Sequence, residues 1–363
     1  MADAERARAT VGQAHEPDPS HGFGRNTAFL GRTAMTKLLR LLPDNFTLSI
    51  VGALAIGLVL PISGVPAHYF NTFTRFAIAL LFFLHGAKLS TGVIIKGVMH
   101  WRLHLLVLAA TFVMFPMLGI ALQFLPGGVI NRQLAAGFLF LTLLPSTVQS
   151  SVAFTAVAGG NVPSAVCSAS LSNLIGMLLT PLLVSALMTS QEGGISLEAV
   201  RSILFELLLP FLAGQAVQRW TRPWLSNHSQ VVGFVDRGSI VLVVYGAVSA
   251  ATLEGYWRLV SPLDLCLVVS VSGIILFIML SITTAMSRRL RFNRADEIAI
   301  VFCGSKKSLA SGAPLAGALF APAAVGGLLL PLIVFHQIQL VTCGVLARRY
   351  ASQGLQPGGL YDR

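Results

Sequence analysis

Ten apolar runs succeed one another along this chain, at approximately residues 46–62, 72–89, 103–124, 133–158, 162–188, 202–218, 238–254, 263–287, 295–320 and 325–347. Each is close to the ~20 residues that an α-helix needs to cross the hydrocarbon core of a bilayer. A soluble fold could not cover so much apolar surface with the polar residues available. Of the 363 residues, 55% are hydrophobic and only 11% charged, far from the balance of an ordinary soluble domain. The expected fold class is an all-α polytopic membrane protein of about ten transmembrane helices.

The net charge of +11 raises nucleic acid as a partner. The basic residues, however, stand in short loops between apolar runs, with no aromatic-interleaved basic face. They read as topology signals for a chain whose partner is the lipid bilayer. With ten spans, one side receives Arg25, Arg32, Lys37, Arg40, Lys88, Lys96, Arg102, Arg219, Arg222, Arg237, Arg288, Arg289, Arg291, Arg294, Arg348 and Arg349. The other receives Arg75, Arg132, Arg201 and Arg258. The positive-inside bias then places both termini in the cytoplasm. Residues 1–44 form a polar tail without the early apolar segment of a cleavable signal, and 36–42 suits a short interfacial helix. Cys167, Cys266, Cys303 and Cys343 lie inside apolar runs without metal-ligand spacing, and read as small buried hydrophobes.

The loop 189–201 is the most polar internal connection and has five runs on each side. An odd number of spans per half inserts the halves in opposite orientations, as in inverted-repeat transporters. The predicted organisation is a tail at 1–44, a first five-helix repeat at 45–188, the connecting loop, a second repeat at 202–350 and a tail at 351–363.

Two runs are interrupted alike, at corresponding places in the halves. The fourth is apolar through Leu144 and then reads Pro145-Ser-Thr-Val-Gln-Ser-Ser151; the ninth is apolar through Cys303 and then reads Gly304-Ser-Lys-Lys-Ser-Leu-Ala-Ser311. An interrupted helix frees backbone groups that cannot stay unsatisfied in hydrocarbon, so such a break lines a protein-walled or wet cavity. Its helix ends offer partial charges to ions and anionic solutes near the midplane. A lone Pro kink, with hydroxyls bonded back on their own helix, would be the plainer explanation. Two matched breaks favour a site made of Gln149, Ser150, Ser151, Ser305, Lys306, Lys307 and Ser308. A mid-membrane lysine costs ~3 kcal/mol or more, so Lys306 and Lys307 are expected to be functional.

Other polar positions are less specific. Glu206 in the sixth run reads equally as a proton carrier or a structural partner. His336, Gln337 and Gln339 interrupt the tenth run and suit interhelical hydrogen bonding. Ser164 and Ser168 share a face of the fifth helix at i,i+4 and could present paired oxygens.

These residues carry a resemblance. Pro145–Ser151, Gly160-Asn161-Val162 and the Ser-rich helix ending Leu179-Thr180-Pro181-Leu182 resemble the fourth and fifth helices of the bile acid:sodium symporter superfamily. Phe302-Cys-Gly-Ser-Lys-Lys-Ser-Leu-Ala-Ser-Gly312 and His336-Gln-Ile-Gln339 resemble its SBF-like branch. The resemblance implies ten helices with broken, crossing fourth and ninth members, and secondary transport without a cofactor; given the departures that follow, coupling is to protons, to one sodium or to nothing. It implies one sodium at Ser150, Ser151, Ser164 and Ser168. A second sodium site would use the positions of Phe302, Lys306 and Thr111, where the family places a carboxylate and two glutamines. An ammonium there repels sodium, so the second site is expected to be absent and the first weakened.

The functional expectation is secondary transport of a small, anionic organic solute across the cytoplasmic membrane. Proton-driven export, and a non-transporting membrane regulator of ion homeostasis on the same scaffold, stand as alternatives. Neither HExxH, GxSxG nor a GxxxxGK[ST] loop occurs, which argues against an intramembrane enzyme and a primary pump.

Overall fold

The computed structural model describes residues 45–88, 100–126, 130–188, 197–258 and 260–354, the side chains of 45, 47, 197–206, 222, 226 and 323 excepted. The expected tail at 1–44, its interfacial helix, the loop around Lys96, most of the 189–201 connection and the end of the C-terminal tail lie outside them. All regular structure among the described residues is helical. Asn45–Val59 forms α1 and Gly64–Lys88 forms α2. Trp101–Ala109 (α3) continues through a π-helical turn, Ala110–Met114, into Phe115–Gln123 (α4). Arg132–Leu143 is α5, Gln149–Val157 is α6, and Val162–Met188 is α7. Then follow α8 (Leu197–Asn227), α9 (Ser229–Leu253) and α10 (Pro262–Arg289). The chain closes with α11 (Arg294–Gly304), α12 (Leu309–Leu319) and α13 (Pro322–Gly354). The start of α8 takes up the last part of the predicted 189–201 loop, because Leu197-Glu-Ala-Val suits a helix better than a coil.

Six helices among the described residues are long and apolar enough to cross a membrane: Gly64–Lys88, Trp101–Gln123, Val162–Met188, Ser229–Leu253, Pro262–Arg289 and Ala324–Gln353. Leu48–Val59 and Arg132–Leu143 are shorter apolar helices. The fourth and ninth apolar runs of the sequence are each two helices with a gap, at 144–148 and 305–308.

The helix starts are written into the sequence. The Asn131 side chain accepts the Gln133 N–H at 2.9 Å to begin α5. Ser261 and Asp264 cap α10 reciprocally, and Asn293 accepts the Asp296 N–H at 2.9 Å to begin α11. The start of α11 is also tied to the start of α7. Asn161 donates from its backbone N–H to the Ala295 carbonyl at 2.9 Å and from its side chain to Asp296 at 2.7 Å.

Inside hydrocarbon, helices associate through close backbone approach, since burying apolar surface gains nothing over lipid. Small residues accordingly mark the contacts. Ala165 and Ala169 of α7 meet Ala299, Ile300 and Cys303 of α11, with Leu103, Leu106 and Val107 of α3 closing the cluster. Of the four free cysteines Cys167, Cys303 and Cys343 are buried, but Cys266 is exposed on α10; an apolar run has a lipid-facing side as well as a packed one.

The contact of α2 with α8 is closer still. A Cβ on Gly86 would stand 2.0 Å from the Phe211 carbonyl oxygen, and one on Gly214 would stand 2.0 Å from that of Phe83. Alanine is ordinarily the better helix residue by ~1 kcal/mol. Here the sign reverses, because the two helices would have to separate. Gly86→Ala and Gly214→Ala should each cost roughly 3 kcal/mol, read as a lowered unfolding midpoint of the purified protein; a raised midpoint would show that the helices do not meet there.

Candidate functional site

The two gaps meet. The Ser308 N–H donates to the Pro145 carbonyl at 3.0 Å, joining backbone to backbone. The Ser146 hydroxyl donates to the Cys303 carbonyl, and Ser151 donates to that of Phe302 at 2.8 Å. Those two carbonyls belong to the last turn of α11, which has no intrahelical donors left for them. Ser305 completes the turn by donating to Val301 at 2.6 Å. One interrupted helix thus caps the other.

Helix α7 lies against the fourth-run gap and answers its remaining groups. Ser146 donates its N–H to the Ser172 hydroxyl at 3.0 Å, and its carbonyl accepts from Asn173 at 2.8 Å. Thr180 donates to the Leu143 carbonyl at 2.8 Å, and Ser311 of α12 donates to Asn173 at 2.6 Å. Ser308 caps α12 through the Ser311 N–H at 3.1 Å.

The two adjacent lysines are both fully buried, 0% exposed, yet stand in opposite situations. The Lys307 ammonium donates to the carbonyls of Thr111 at 2.8 Å, Thr142 at 2.8 Å and Leu144 at 2.6 Å. The rings of Phe115 and Phe112 lie 4.2 Å and 5.9 Å away. Its peptide is held as well: Gln339 accepts the Lys307 N–H at 2.9 Å and donates to the Lys307 carbonyl at 2.8 Å. The Lys306 ammonium, by contrast, makes one long hydrogen bond, 3.3 Å to the Ser150 hydroxyl. It rests over Phe154 at 4.5 Å and Phe302 at 5.7 Å. Among the described residues neither ammonium has a carboxylate partner. The nearby acids are committed elsewhere, Asp296 to Asn161 and Asn293, Glu297 to Arg288 and Tyr350.

Comparison with known proteins places this arrangement. The sequence model of the SBF-like CPA transporter family matches residues 44–352. The chain belongs to that family. Protein PA2026 of Pseudomonas aeruginosa is 53% identical over 313 residues, covering 86% of this chain and 94% of its own. YfeH of Escherichia coli K12, whose name gives it as a candidate symporter, is 49% identical over 317 residues, 87% and 95% of the two chains. Sodium/bile acid cotransporter 7 of Xenopus tropicalis is 29% identical over 323 residues, 86% and 93%. The matching family model is one of transporters, and the Escherichia coli and Xenopus relatives are a symporter and a cotransporter by name, not enzymes; the resemblance read from the two interrupted runs holds.

In this SBF-like protein the structure brings Ser150, Ser151, Ser305, Lys306, Lys307 and Ser308 together at the crossing, with the Thr111 carbonyl reaching it from the third run. Gln149 is at the same place but exposed, in the first turn of α6. Ser164 and Ser168 are placed differently. Ser164 is in the first turn of α7, its N–H accepted by Asn161 at 3.0 Å. The Ser168 hydroxyl shares a 2.7 Å hydrogen bond with the buried His104. The oxygens assigned to a sodium ion are thus largely engaged: Ser150 with Lys306 and Thr147, Ser151 with Phe302 and Thr147, Ser168 with His104. His336 is half-buried and shares a 2.8 Å hydrogen bond with Gln339, while Gln337 is half-buried beside it. Glu206 lies in α8, with its side chain outside the described ones.

Sequence reasoning leaves Gln339 as one polar residue among three; it misses Ser146 and Asn173 as members of the crossing, and His104 as the partner of Ser168. The signal available was their type: an amide or imidazole in an apolar run needs a partner. It does not say which.

Proposed function

We propose that this family member is a secondary transporter that moves a small organic anion across the cytoplasmic membrane by alternating access. Its ten spans form two inverted five-helix repeats with both termini in the cytoplasm, and sodium coupling is weakened or replaced. The observation that carries the reading is Lys306. A fully buried ammonium with three donors and one 3.3 Å hydrogen bond is expensive unless an oxygen-bearing partner comes to it. An anionic solute arriving beside Ser150 and the exposed Gln149, at the positive end of α6, is such a partner. The inverted-repeat reading is supported by gaps that fall in the fourth and ninth apolar runs, in corresponding places of the two halves. Names of relatives that mention symport and sodium/bile acid cotransport support carriage of an organic solute.

The coupling follows from charge. The Lys306 ammonium already occupies Ser150, one of the oxygens a sodium ion would need, and a fixed positive charge disfavours a second one close by. Uptake of labelled organic acids into proteoliposomes, with sodium and proton gradients imposed separately, tests the reading. Accumulation of an anion without steep sodium dependence is expected. Cooperative sodium dependence would overturn the coupling, and accumulation of cations alone would overturn the substrate class. Alkaline phosphatase fused after Arg349 should be inactive and green fluorescent protein fused there should glow; the reverse would overturn the topology.

A further inference from the structure

The Lys307 ammonium lies among carbonyls that the sequence leaves free for separate reasons. In an α-helix the Thr111 carbonyl would accept the N–H of Phe115. That N–H goes instead to Ala110, closing the π-helical turn, and the next residue, Pro116, has no N–H to offer. The Thr142 carbonyl would accept from Ser146, whose N–H goes to Ser172 instead. Leu144 is extended beyond the end of α5. Three carbonyl oxygens from two spans therefore converge with no backbone donor for any of them, and a buried carbonyl left unpaired is destabilising. Two of them belong to the negative end of α5, and the Phe115 and Phe112 rings face the same point. Carbonyl oxygens at a helix C-terminus, walled by aromatic rings and closed to water, form a binding place for a bare monovalent cation.

We infer that Lys307 is a resident cation: its ammonium is the permanent, tethered occupant of a carbonyl cage that ties the π-helical turn of the third span to the interrupted fourth. The cage takes no diffusible ion while Lys307 is present. With the side chain removed it takes a small monovalent cation, a primary alkylammonium or sodium. The two lysines divide the work, since Lys307 has all three donors occupied at 2.6–2.8 Å and Lys306 has one at 3.3 Å. This inference rests on the transport reading only in making a coupling ion dispensable at this place.

The test reads stability, so it fails or succeeds apart from any uptake assay. Parent and Lys307→Ala proteins are purified in detergent with N-methylglucamine as the buffer cation, and unfolding midpoints are measured while single cations are added at constant ionic strength. The parent midpoint should not move with sodium. Lys307→Ala should unfold roughly 5–10 °C lower. Propylammonium, the fragment deleted from the side chain, should restore at least half of that loss at concentrations on the order of 10–100 mM. Sodium should restore part of it and tetramethylammonium, which has no N–H and is too large, none. Where Lys307→Ala yields no folded protein without these cations, recovery of folded protein on purification in propylammonium supports the inference, and no recovery with either cation overturns it. A parent midpoint that climbs with sodium as steeply as that of Lys307→Ala, an alanine variant as stable as the parent in N-methylglucamine, or equal rescue by tetramethylammonium would each overturn it.

Discussion

Lys306→Gln is expected to lower anion uptake by about 100-fold while the protein folds at least as well as before. Removing the charged partner of a buried, hydrogen-bonded anion typically costs 2–5 kcal/mol, roughly 30- to several-thousand-fold in affinity or rate. The folding side has the opposite sign. In the structure the Lys306 ammonium makes one 3.3 Å hydrogen bond and no ion pair among the described residues, so its desolvation is poorly offset. Replacing an ill-compensated buried charge by a neutral side chain of similar volume is often neutral or stabilising. The unfolding midpoint of Lys306→Gln should therefore equal or exceed that of the parent, and Lys306→Met should behave alike. The pairing of the two measurements matters, because loss of uptake with loss of folding would say only that the residue is structural. Retained uptake in a well-folded Lys306→Gln protein would sink the anion-binding role. The contrast with Lys307, one residue on, is sharp: there the same loss of charge should destabilise, since three carbonyls depend on it.

That contrast also marks the limit of what the sequence could show. Pro145 and Gly304 within apolar runs announced the two interruptions, because a helix break in hydrocarbon has few other chemical signatures. The positions of the gaps, the capping asparagines at 131 and 293, and the apolar runs themselves follow from local rules. Lys306 and Lys307 were visible as anomalous charges, but adjacent residues of one type cannot be told apart by type. Which ammonium meets the carbonyls depends on the non-helical backbone at 305–308 and on what α7, the π-helical turn and α13 present there. None of that is local in sequence. The Thr111 contribution shows the difficulty well. Its position was reached through a family resemblance that supposed a side-chain ligand, yet the atom at the crossing is its backbone carbonyl, freed by Pro116, while its hydroxyl donates to Val107 at 2.8 Å. Likewise Ser164 and Ser168 share a helical face as their spacing requires, and the partner of Ser168 is a histidine 64 residues earlier.

Gln339 is the member of the crossing most easily overlooked, and Gln339→Leu is expected to cost about 4 kcal/mol. Residues 305–308 are not helical, so the N–H and carbonyl of Lys307 have no helical partner in a place without water. A primary amide carries one acceptor and two donors on a planar group, and Gln339 turns that group edge-on to the Lys307 peptide. It accepts the N–H at 2.9 Å and donates to the carbonyl at 2.8 Å, much as a neighbouring strand would. Leucine fills similar space but leaves both backbone groups buried and unpaired, at ~1–3 kcal/mol each. It also removes a hydrogen bond from His336. Gln339→Glu keeps the acceptor and loses the donor, and should fall between leucine and parent. The control is two residues away: Gln337 is half-buried on the same helix, and its side chain makes no hydrogen bond among the described residues. Gln337→Leu should stay within about 1 kcal/mol of the parent. A drop of 4 kcal/mol lowers the unfolding midpoint by roughly 5 °C for a chain of this size, readily resolved from the control. Because the Lys307 peptide carries the ammonium into its cage, the same variant should lose uptake in parallel. Equal midpoints for Gln339→Leu and Gln337→Leu would show that the amide does not hold the crossing.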